Sequence, residues 1–229
     1  MFILRITVLL MSVGLLSDCS AFDVKHDYAK TTAALSYSGQ GKLGVAVQDR
    51  RAYVVSGEKR ENYVGFFRGE FGNHMSNTTK SGAPLASDMA NSLAGTMKHA
   101  GYDVVKLEIP PSDGAEDVRK VLAGGADKAL FLVLDEWKAE TNPSYLGSNN
   151  PAAAFTNTGT GGATTLHHNA TLSVMKRGKV LASKKIQGDE GLGSSLLGPE
   201  KYAKKAVPPW FKGKLEEMLN DPAIARALK

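Results

Sequence analysis

The only cysteine of the chain, Cys19, closes an N-terminal segment that has the three-part pattern of an export signal. One positive charge, Arg5, precedes an apolar run over residues 6–16, and small and polar residues follow that run. The run is too short for a membrane-spanning helix, which needs about 20 residues. Because a single cysteine cannot form an internal disulfide, the exported chain has to be stabilised by a packed core.

The end of this segment, Leu16-Ser17-Asp18-Cys19, resembles the lipobox of bacterial lipoproteins. The resemblance implies that residues 1–18 are a signal peptide, that the sulfur of Cys19 is lipidated, and that Cys19 becomes the mature N-terminus. Asp18 departs from the lipobox, which usually has Gly, Ala or Ser at this position. The alternative is ordinary signal cleavage after Ala21, with Cys19 and Ala21 as the small residues of the cleavage site. Both alternatives export the protein.

The composition permits one sizeable domain with a moderate positive charge. Roughly 210 of the 229 residues remain after removal of the signal, which is enough for a domain with its own core. The net charge of +5 survives the removal, because Arg5 and Asp18 cancel. Such a charge suits a protein near anionic lipid headgroups or lipopolysaccharide. The sequence has no dense basic stripe with interleaved aromatic residues, so we expect no nucleic-acid partner.

The first part of the mature chain, residues 19–42, mixes small, charged and glycine residues without a sustained period. This pattern predicts a tether with room for one short strand. We expect a single mixed domain over residues 43–229. Its first apolar run, residues 43–48, predicts a strand buried on both faces. Aromatic and β-branched residues over positions 52–71 favour one or two further strands.

The clearest helix is predicted over residues 84–100, where an apolar residue recurs at every fourth position. Residues 102–109 then predict a strand, and residues 113–125 predict a second helix that ends at two glycines. The apolar positions of the first helix are Leu85, Met89, Leu93 and Met97.

The most hydrophobic stretch of the mature chain, residues 129–134, predicts the central strand. Residues 141–165 are rich in Gly, Asn, Thr and Pro, which predicts a mobile loop. Alternating runs around residues 176–179 predict a β-hairpin, and a final helical stretch is expected to break at Pro208-Pro209. These elements predict an α/β fold of the α+β type, in which two or three helices pack on a mixed β-sheet.

Several short motifs lie within this order of elements. They are VAVQDRR at residues 45–51, AGY at residues 100–102 and LNDP at residues 219–222. Together with the signal and Cys19, they resemble the YajG-like family of uncharacterised bacterial lipoproteins over most of the chain. The resemblance implies an envelope lipoprotein with a mixed sheet packed by helices. It supplies no catalytic residue, because that family has no established catalytic site.

Two sequence patterns could indicate a cofactor or a metal. Residues 39–44 match G-x-G-x-x-G, but they lead into a predicted strand, whereas the dinucleotide fingerprint follows a strand and opens a helix. His167 and His168 are adjacent, and adjacent strand residues point to opposite faces, so they are poorly placed to chelate one ion. We therefore expect solvated histidines at a strand edge, no metal and no cofactor.

Two further patterns could indicate catalysis. Asp135-Glu136 could supply acid and base groups, but neighbouring strand residues face apart, so we expect a solvated strand end. Ser194-Ser195 lie in a glycine-rich segment without the G-x-S-x-G motif of a serine nucleophile, and we expect a flexible turn there.

Two groups of bases are candidates for binding an anionic surface, at about 1 kcal/mol per base if they converge in space. The simpler alternative for both is a solvated face. The hairpin group is Lys176, Arg177, Lys179, Lys184 and Lys185, and the helix group is Lys201, Lys204, Lys205, Lys212 and Lys214.

The sequence favours a cell-envelope lipoprotein that acts as a membrane-anchored binding or structural accessory. Its lipid would hold it in the membrane, most simply the outer membrane facing the periplasm, where it would meet an envelope protein or an anionic lipid. A soluble periplasmic protein is the alternative location. An exported hydrolase with residues scattered along the sequence is the alternative function.

Overall fold

Strands dominate the computed structural model, which describes residues 24–68, 74–112, 126, 128–145, 160–195 and 199–229. The described strands form one mixed sheet of eight, accompanied by four helices, and this confirms the predicted α+β class. The strands are β1 (Val24–His26), β2 (Lys42–Asp49), β3 (Tyr63–Arg68), β4 (His74–Thr79), β5 (Asp103–Glu108), β6 (Lys128–Tyr145), β7 (Thr160–Lys176) and β8 (Lys179–Ser195); the helices are α1 (Ala52–Val55), α2 (Leu85–His99), α3 (Pro199–Leu219) and α4 (Pro222–Leu228).

Strand β6 is the centre of the sheet, as its apolar run predicts. Along one edge it pairs over its whole length with the antiparallel β7, which pairs in turn with β8. Two parallel strands share its other edge: β2 pairs with residues 128–134, and β3 pairs with residues 139–141. β5 continues the sheet beyond β2, and β4 and β1 continue it beyond β3. The sheet therefore has two arms that meet at residues 135–138 of β6.

Three helices pack on one face of this sheet and form the main core with it. The predicted stripe of α2 is confirmed, because all four of its apolar residues are fully buried. The helix side chains in the core are Leu85, Met89, Leu93 and Met97 of α2, Val207, Phe211, Leu215, Met218 and Leu219 of α3, and Ile224 and Leu228 of α4.

Helix α3 continues through Pro208 and Pro209, where the sequence predicted a break. A proline inside a helix removes a backbone hydrogen bond and clashes with the preceding turn, at a cost of about 3 kcal/mol. Packing offsets this cost, because Val207 and Phe211 on either side of the prolines are fully buried. The chain leaves the helix only at the turn before Asp221, whose side chain caps α4.

The tether prediction is wrong for residues 24–42, which pack on the domain. β1 pairs with β4, and Tyr28 is 1% exposed with its ring 4.9 Å from that of Phe211. Further along, the backbone N–H of Ser36 donates to the Asn220 side chain at 2.9 Å. The segment lacks a sequence period because single aromatic residues and side-chain hydrogen bonds fix it, rather than a continuous face.

The mobile-loop prediction is wrong at both of its ends. Residues 141–145 belong to β6 and residues 160–165 to β7, and the two segments pair with each other. Thr141 and Thr164 are both buried, with their hydroxyl oxygens 3.0 Å apart. Residues 146–159 lie outside the described part of the chain, as does the predicted helix over residues 113–125.

A buried ion pair between Asp49 and Arg51 lies where the two arms of the sheet meet. Two guanidinium nitrogens of Arg51 donate to the Asp49 carboxylate at 2.9 and 2.6 Å. The guanidinium also donates to the backbone carbonyls of Tyr63 in β3, at 2.5 Å, and Trp137 in β6, at 3.4 Å. Both side chains of the pair are inaccessible to solvent, with exposures of 0% and 1%. The VAVQDRR motif therefore joins three strands.

The same pair explains why residues 52–55 form a helical turn instead of the predicted strand. The carbonyl of Arg51 accepts hydrogen bonds from the N–H groups of Val54 and Val55, at 2.8 and 3.0 Å. Because Arg51 must point into the junction, the chain that follows turns at once rather than extending. The strand predicted in this region is β3, which begins at Tyr63.

Replacing Arg51 with alanine should lower the free energy of unfolding by about 3–5 kcal/mol, because it leaves the Asp49 carboxylate buried and unpaired. Urea unfolding followed by circular dichroism measures this loss. Arg50→Ala is the matched control: its partly exposed pair with Asp135, at 3.4 Å, should contribute less than about 1 kcal/mol. Equal losses for the two variants would contradict the role of the buried pair.

His26 is another buried polar group that the fold must accommodate. It is 1% exposed in β1, and neither of its ring nitrogens has a hydrogen-bond partner among the described residues. Burial, and secondarily the positive charge of Lys204 on α3, lowers the pKa of His26 from 6.5 to about 4. The folded protein therefore holds this imidazole neutral at pH values where an exposed histidine is protonated.

Acid should destabilise the fold through His26. The unfolded chain takes up a proton near pH 6.5 and the folded chain only near pH 4, so stability is lost as the pH falls between these values, by up to about 3 kcal/mol. In urea titrations, His26→Leu should lose much less stability over this range than the unmodified protein does. His99→Gln, at an exposed position of α2, should behave like the unmodified protein. If all three proteins lost the same stability between pH 6.5 and pH 4, His26 would not be the cause of the loss.

Candidate functional site

The lipidation candidate Cys19 and the signal peptide lie outside the described residues, which begin at Val24. The chain enters the fold at β1, next to the N-terminal half of α3. Val24 packs there with Phe67 of β3 and Ala203 of α3 in a small buried cluster. We call this region the entry end of the domain.

A polar hollow of about 330 Å³ lies on strands β6, β7 and β8. Trp137 and Ala139 point into the helix-covered core, so strand alternation directs the residues between and beside them to the other face, where the hollow lies. Its lining side chains are all polar on this face: Glu136, Lys138, His167, Asn169, Gln187 and Asp189.

The charged groups of the hollow mostly neutralise one another. The Nδ1 atom of His167 lies 2.6 Å from an Asp189 carboxylate oxygen, and its Nε2 atom lies 3.6 Å from Glu140. Lys138 donates to the other oxygen of Glu140 at 2.8 Å. Glu136 accepts a hydrogen bond from the Tyr53 hydroxyl at 2.7 Å. Lateral ion pairs across neighbouring strands therefore hold these side chains in place.

A histidine–carboxylate pair like that of this hollow activates a hydroxyl or thiol nucleophile in acyl transfer. The described lining of the hollow includes no serine, threonine or cysteine, whereas acyl transfer by a His–Asp pair needs a hydroxyl or thiol within hydrogen-bond reach. Ser194 and Ser195 are paired with β7 as part of β8, so the turn predicted there is wrong. Among the described residues, no group of three or more His, Cys, Asp or Glu is arranged to hold a metal ion.

The sequence predicted that Asp135 and Glu136 lie at the end of a strand. This is wrong, because β6 continues to Tyr145. The register of β6 against β7 shifts between Leu134 and Glu136, so Asp135 is a bulge residue. Asp135 pairs with Arg50 at the surface, while Glu136 lines the hollow. Sequence reasoning missed Asp189 and Glu140, although continued alternation along the two strands would have placed both on this face.

His168 faces the opposite way from His167, as predicted, but it is not a solvated histidine at a strand edge. β7 lies between β6 and β8, and His168 is 3% exposed. Its ring contacts the ring of Trp210 on α3, with centroids 5.4 Å apart, and its Nε2 atom lies 3.7 Å from Glu190. Burial, with a smaller effect of Lys214, lowers the pKa of His168.

Glu190 ties α3 to the sheet next to His168. It accepts a hydrogen bond from the Trp210 indole N–H at 2.8 Å and pairs with Lys214. Lys214 also pairs with Glu217 at 3.1 Å. Lys214, predicted as part of an anion-binding group, therefore has a structural role between the helix and β8.

The two predicted groups of bases do not converge. The hairpin bases lie at the turn between β7 and β8, beside the start of β6. In the helix group, Lys204 and Lys205 are exposed at the entry end, directly after Ala203 in the chain. The structure describes the backbone of Lys201 in α3. Lys212 pairs with Glu216 at 3.7 Å, one turn further along α3.

The hairpin turn combines charge with exposed apolar surface. Val180 and Leu181 are 57% and 48% exposed, and they are the exposed large hydrophobic residues of the described side chains. Lys176, Arg177 and Lys179 precede them at the turn and have no ion-pair partner among the described residues, nor has Lys185 further along β8. Lys184 differs, because it lies 3.8 Å from Asp221 of α4. We call residues 176–181 the hairpin tip.

No helix in the described part of the chain combines the length and the apolarity that crossing a bilayer requires.

Comparison with known proteins gave similarities of structure alone. No protein-family model matches the chain, and no curated protein sequence matches it. A protein of the DUF330 family from Xanthomonas campestris is 13% identical with a TM-score of 0.48, covering 86% of this chain and 93% of its own. A homolog of the neuraminyllactose-binding hemagglutinin from Helicobacter pylori is 8% identical with a TM-score of 0.42, covering 89% and 96%.

A third solved structure is a lipoprotein from Neisseria meningitidis. It is 16% identical with a TM-score of 0.33, covering 76% of this chain and 99% of its own. The chain is thus similar to bacterial proteins, one of which is a lipoprotein. At these identities and TM-scores the similarity carries no argument about function, and the assignment to the YajG-like family stays a prediction.

Proposed function

We propose that the chain is an exported lipoprotein of the bacterial cell envelope, anchored by lipid on Cys19, whose domain acts as a binding or structural accessory. The observation that carries this proposal is the short distance along the chain between Cys19 and the fold. Val24, the first residue of β1, follows Cys19 by five residues. The corrected domain boundary therefore brings the anchor next to the domain.

The length of this segment limits how far the domain can stand from the membrane. An extended chain covers at most about 3.6 Å per residue, so β1 would begin within roughly 18 Å of the lipid-bearing residue. The 24-residue tether of the sequence prediction would have allowed several times that distance. A lipoprotein anchored in this way works at the membrane surface rather than far from it.

The charge of the entry end supports this arrangement. Lys25 of β1 and Lys204 and Lys205 of α3 are exposed there. Bases near an anionic leaflet each contribute about 1 kcal/mol of attraction. The end of the domain nearest to Cys19 is thus suited to phospholipid headgroups, as expected for a lipoprotein of the outer membrane facing the periplasm.

Binding rather than catalysis is supported by the polar hollow. Its described lining contains no serine, threonine or cysteine beside the histidine–carboxylate pair, and its charges are largely paired with one another. The VAVQDRR motif forms the buried junction of the sheet, so its role is structural rather than catalytic in this proposal. An envelope protein or an anionic lipid is the partner that this proposal expects.

Replacing Cys19 with alanine should move the protein from the membrane fraction to the soluble periplasmic fraction without changing its fold. Lipid adds about 0.8 kcal/mol per buried methylene, so two or more acyl chains hold a protein stably and their loss releases it. Cell fractionation with immunoblotting, together with the mass of the N-terminal peptide, measures the outcome.

Asp18→Ser is the matched control, because it restores a small residue before the cysteine and should leave the protein in the membrane fraction. An unmodified protein that begins at Phe22 and is found in the soluble fraction would contradict the anchor. It would favour ordinary cleavage after Ala21.

A further inference from the structure

The turn of the β7–β8 hairpin has an arginine where the backbone favours glycine or asparagine. Arg177 has a φ of 51°, and Gly178 follows with a φ of 77°. Two-residue hairpin turns with this conformation favour Asn-Gly, because a side chain other than Asn or Asp is strained there. Arg177 has no hydrogen bond or ion pair among the described residues that would offset the backbone strain. Its positive charge therefore stands at the outermost point of the hairpin without a structural reason.

The two exposed apolar residues lie next to this turn because of a β-bulge. Met175 pairs with Val180 and Val174 with Ala182, so Leu181 is an extra residue without a partner on β7. A bulge changes the direction of a side chain. Here it leaves two adjacent aliphatic side chains in water, on the edge strand of the described sheet. An edge strand normally avoids such residues, because they promote association.

The described charged residues of the hairpin that lie closest in sequence to the aliphatic pair are all basic. Lys176, Arg177, Lys179 and Lys185 have no acidic partner among the described residues. The strand beside them begins with Lys128, whose pKa is lowered by burial and by the charge of Lys176. The described part of the hairpin tip therefore combines several bases with a small exposed apolar surface.

We propose that the hairpin tip binds the surface of an anionic lipid bilayer. Val180 and Leu181 would enter the boundary between headgroups and acyl chains, while Lys176, Arg177 and Lys179 contact lipid phosphates. A lipid surface fits this combination because it offers distributed negative charge above an apolar layer. The strained Arg177 then has a function, since it places a charge where the tip first meets the headgroups.

The strand register shows that the hairpin tip lies far from the entry end, where the lipid anchor would be. Val24 pairs with Asn77, Asn77 with Gly65, and Gly65 with Ala139 of β6. The tip adjoins Lys128, at the other end of β6. Ala139 and Lys128 are eleven residues apart along β6, which corresponds to roughly 35 Å. An anchored molecule that also binds through its tip would touch lipid at two distant points.

This inference deepens the proposed function by naming a partner, but its test does not need the anchor. The unlipidated Cys19→Ala chain is mixed with vesicles of phosphatidylcholine alone, or with vesicles that also contain phosphatidylglycerol, and sedimented. We expect binding only to the anionic vesicles, and weaker binding as the salt concentration rises. Failure of this experiment would leave the fractionation result for Cys19 unaffected.

Arg177→Asn separates lipid binding from stability. Asn-Gly suits the turn, so this variant should be at least as stable as the parent chain, whereas loss of one base should weaken binding about fivefold. The Val180→Ser/Leu181→Ser double variant should weaken it about tenfold or more, because it removes the apolar contact. Lys184→Gln is the matched control and should bind normally, since Lys184 pairs with Asp221.

Three results would overturn the proposal: equal binding to both kinds of vesicle, no binding to either, or unchanged binding by Arg177→Asn and by the double variant. If the variants instead aggregated with unchanged lipid binding, the bases would only protect an edge strand from association. A protein partner for the tip would then be the better explanation of the exposed aliphatic pair. Circular dichroism of each variant confirms that it is folded.

Discussion

The buried pair of Asp49 and Arg51 is the interaction on which the sheet depends. β6 has one neighbour along one edge but two along the other, and between these two its backbone lacks strand partners. The N–H of Arg50 donates to the carbonyl of Leu134 there, at 2.8 Å, and the Arg51 guanidinium reaches the carbonyl of Trp137. Burying two charges is costly unless they are paired and fully hydrogen-bonded. This junction meets both conditions, so one motif lets the two arms of the sheet form a single unit.

The long strands β6, β7 and β8 give the molecule two chemically different ends. The chain enters at one end, close to Cys19, where Lys204 and Lys205 lie on α3. The hairpin tip, with Val180 and Leu181 exposed, lies at the other end. Because the sheet is rigid, the separation of the ends is set by strand length rather than by a flexible linker. Which end of the long strands contacts the membrane then depends on how the domain is oriented toward it.

Side-chain alternation along β7 places its two adjacent histidines in different environments. His168 turns inward and, with Glu190, helps to hold α3 against the sheet through Trp210. His167 turns outward into the hollow, where Asp189 orients its ring. Burial lowers the pKa of the inward group, so the imidazole stays uncharged where it packs. The outward group belongs to a polar surface whose described lining contains no serine, threonine or cysteine.

The sequence by itself determined the elements whose burial repeats at regular spacing: the stripe of α2, the apolar run at the start of β6 and the hairpin with its bases. Such patterns are local, because each residue's environment recurs every second or every third to fourth position. Tertiary structure alone decided the packing of residues 24–42, the continuity of α3 through its prolines and the burial of His168. It also decided which bases are free, since Lys184 and Lys214 find acids far away in sequence. A single contact between distant segments leaves no period in the sequence, so only the folded chain reveals it.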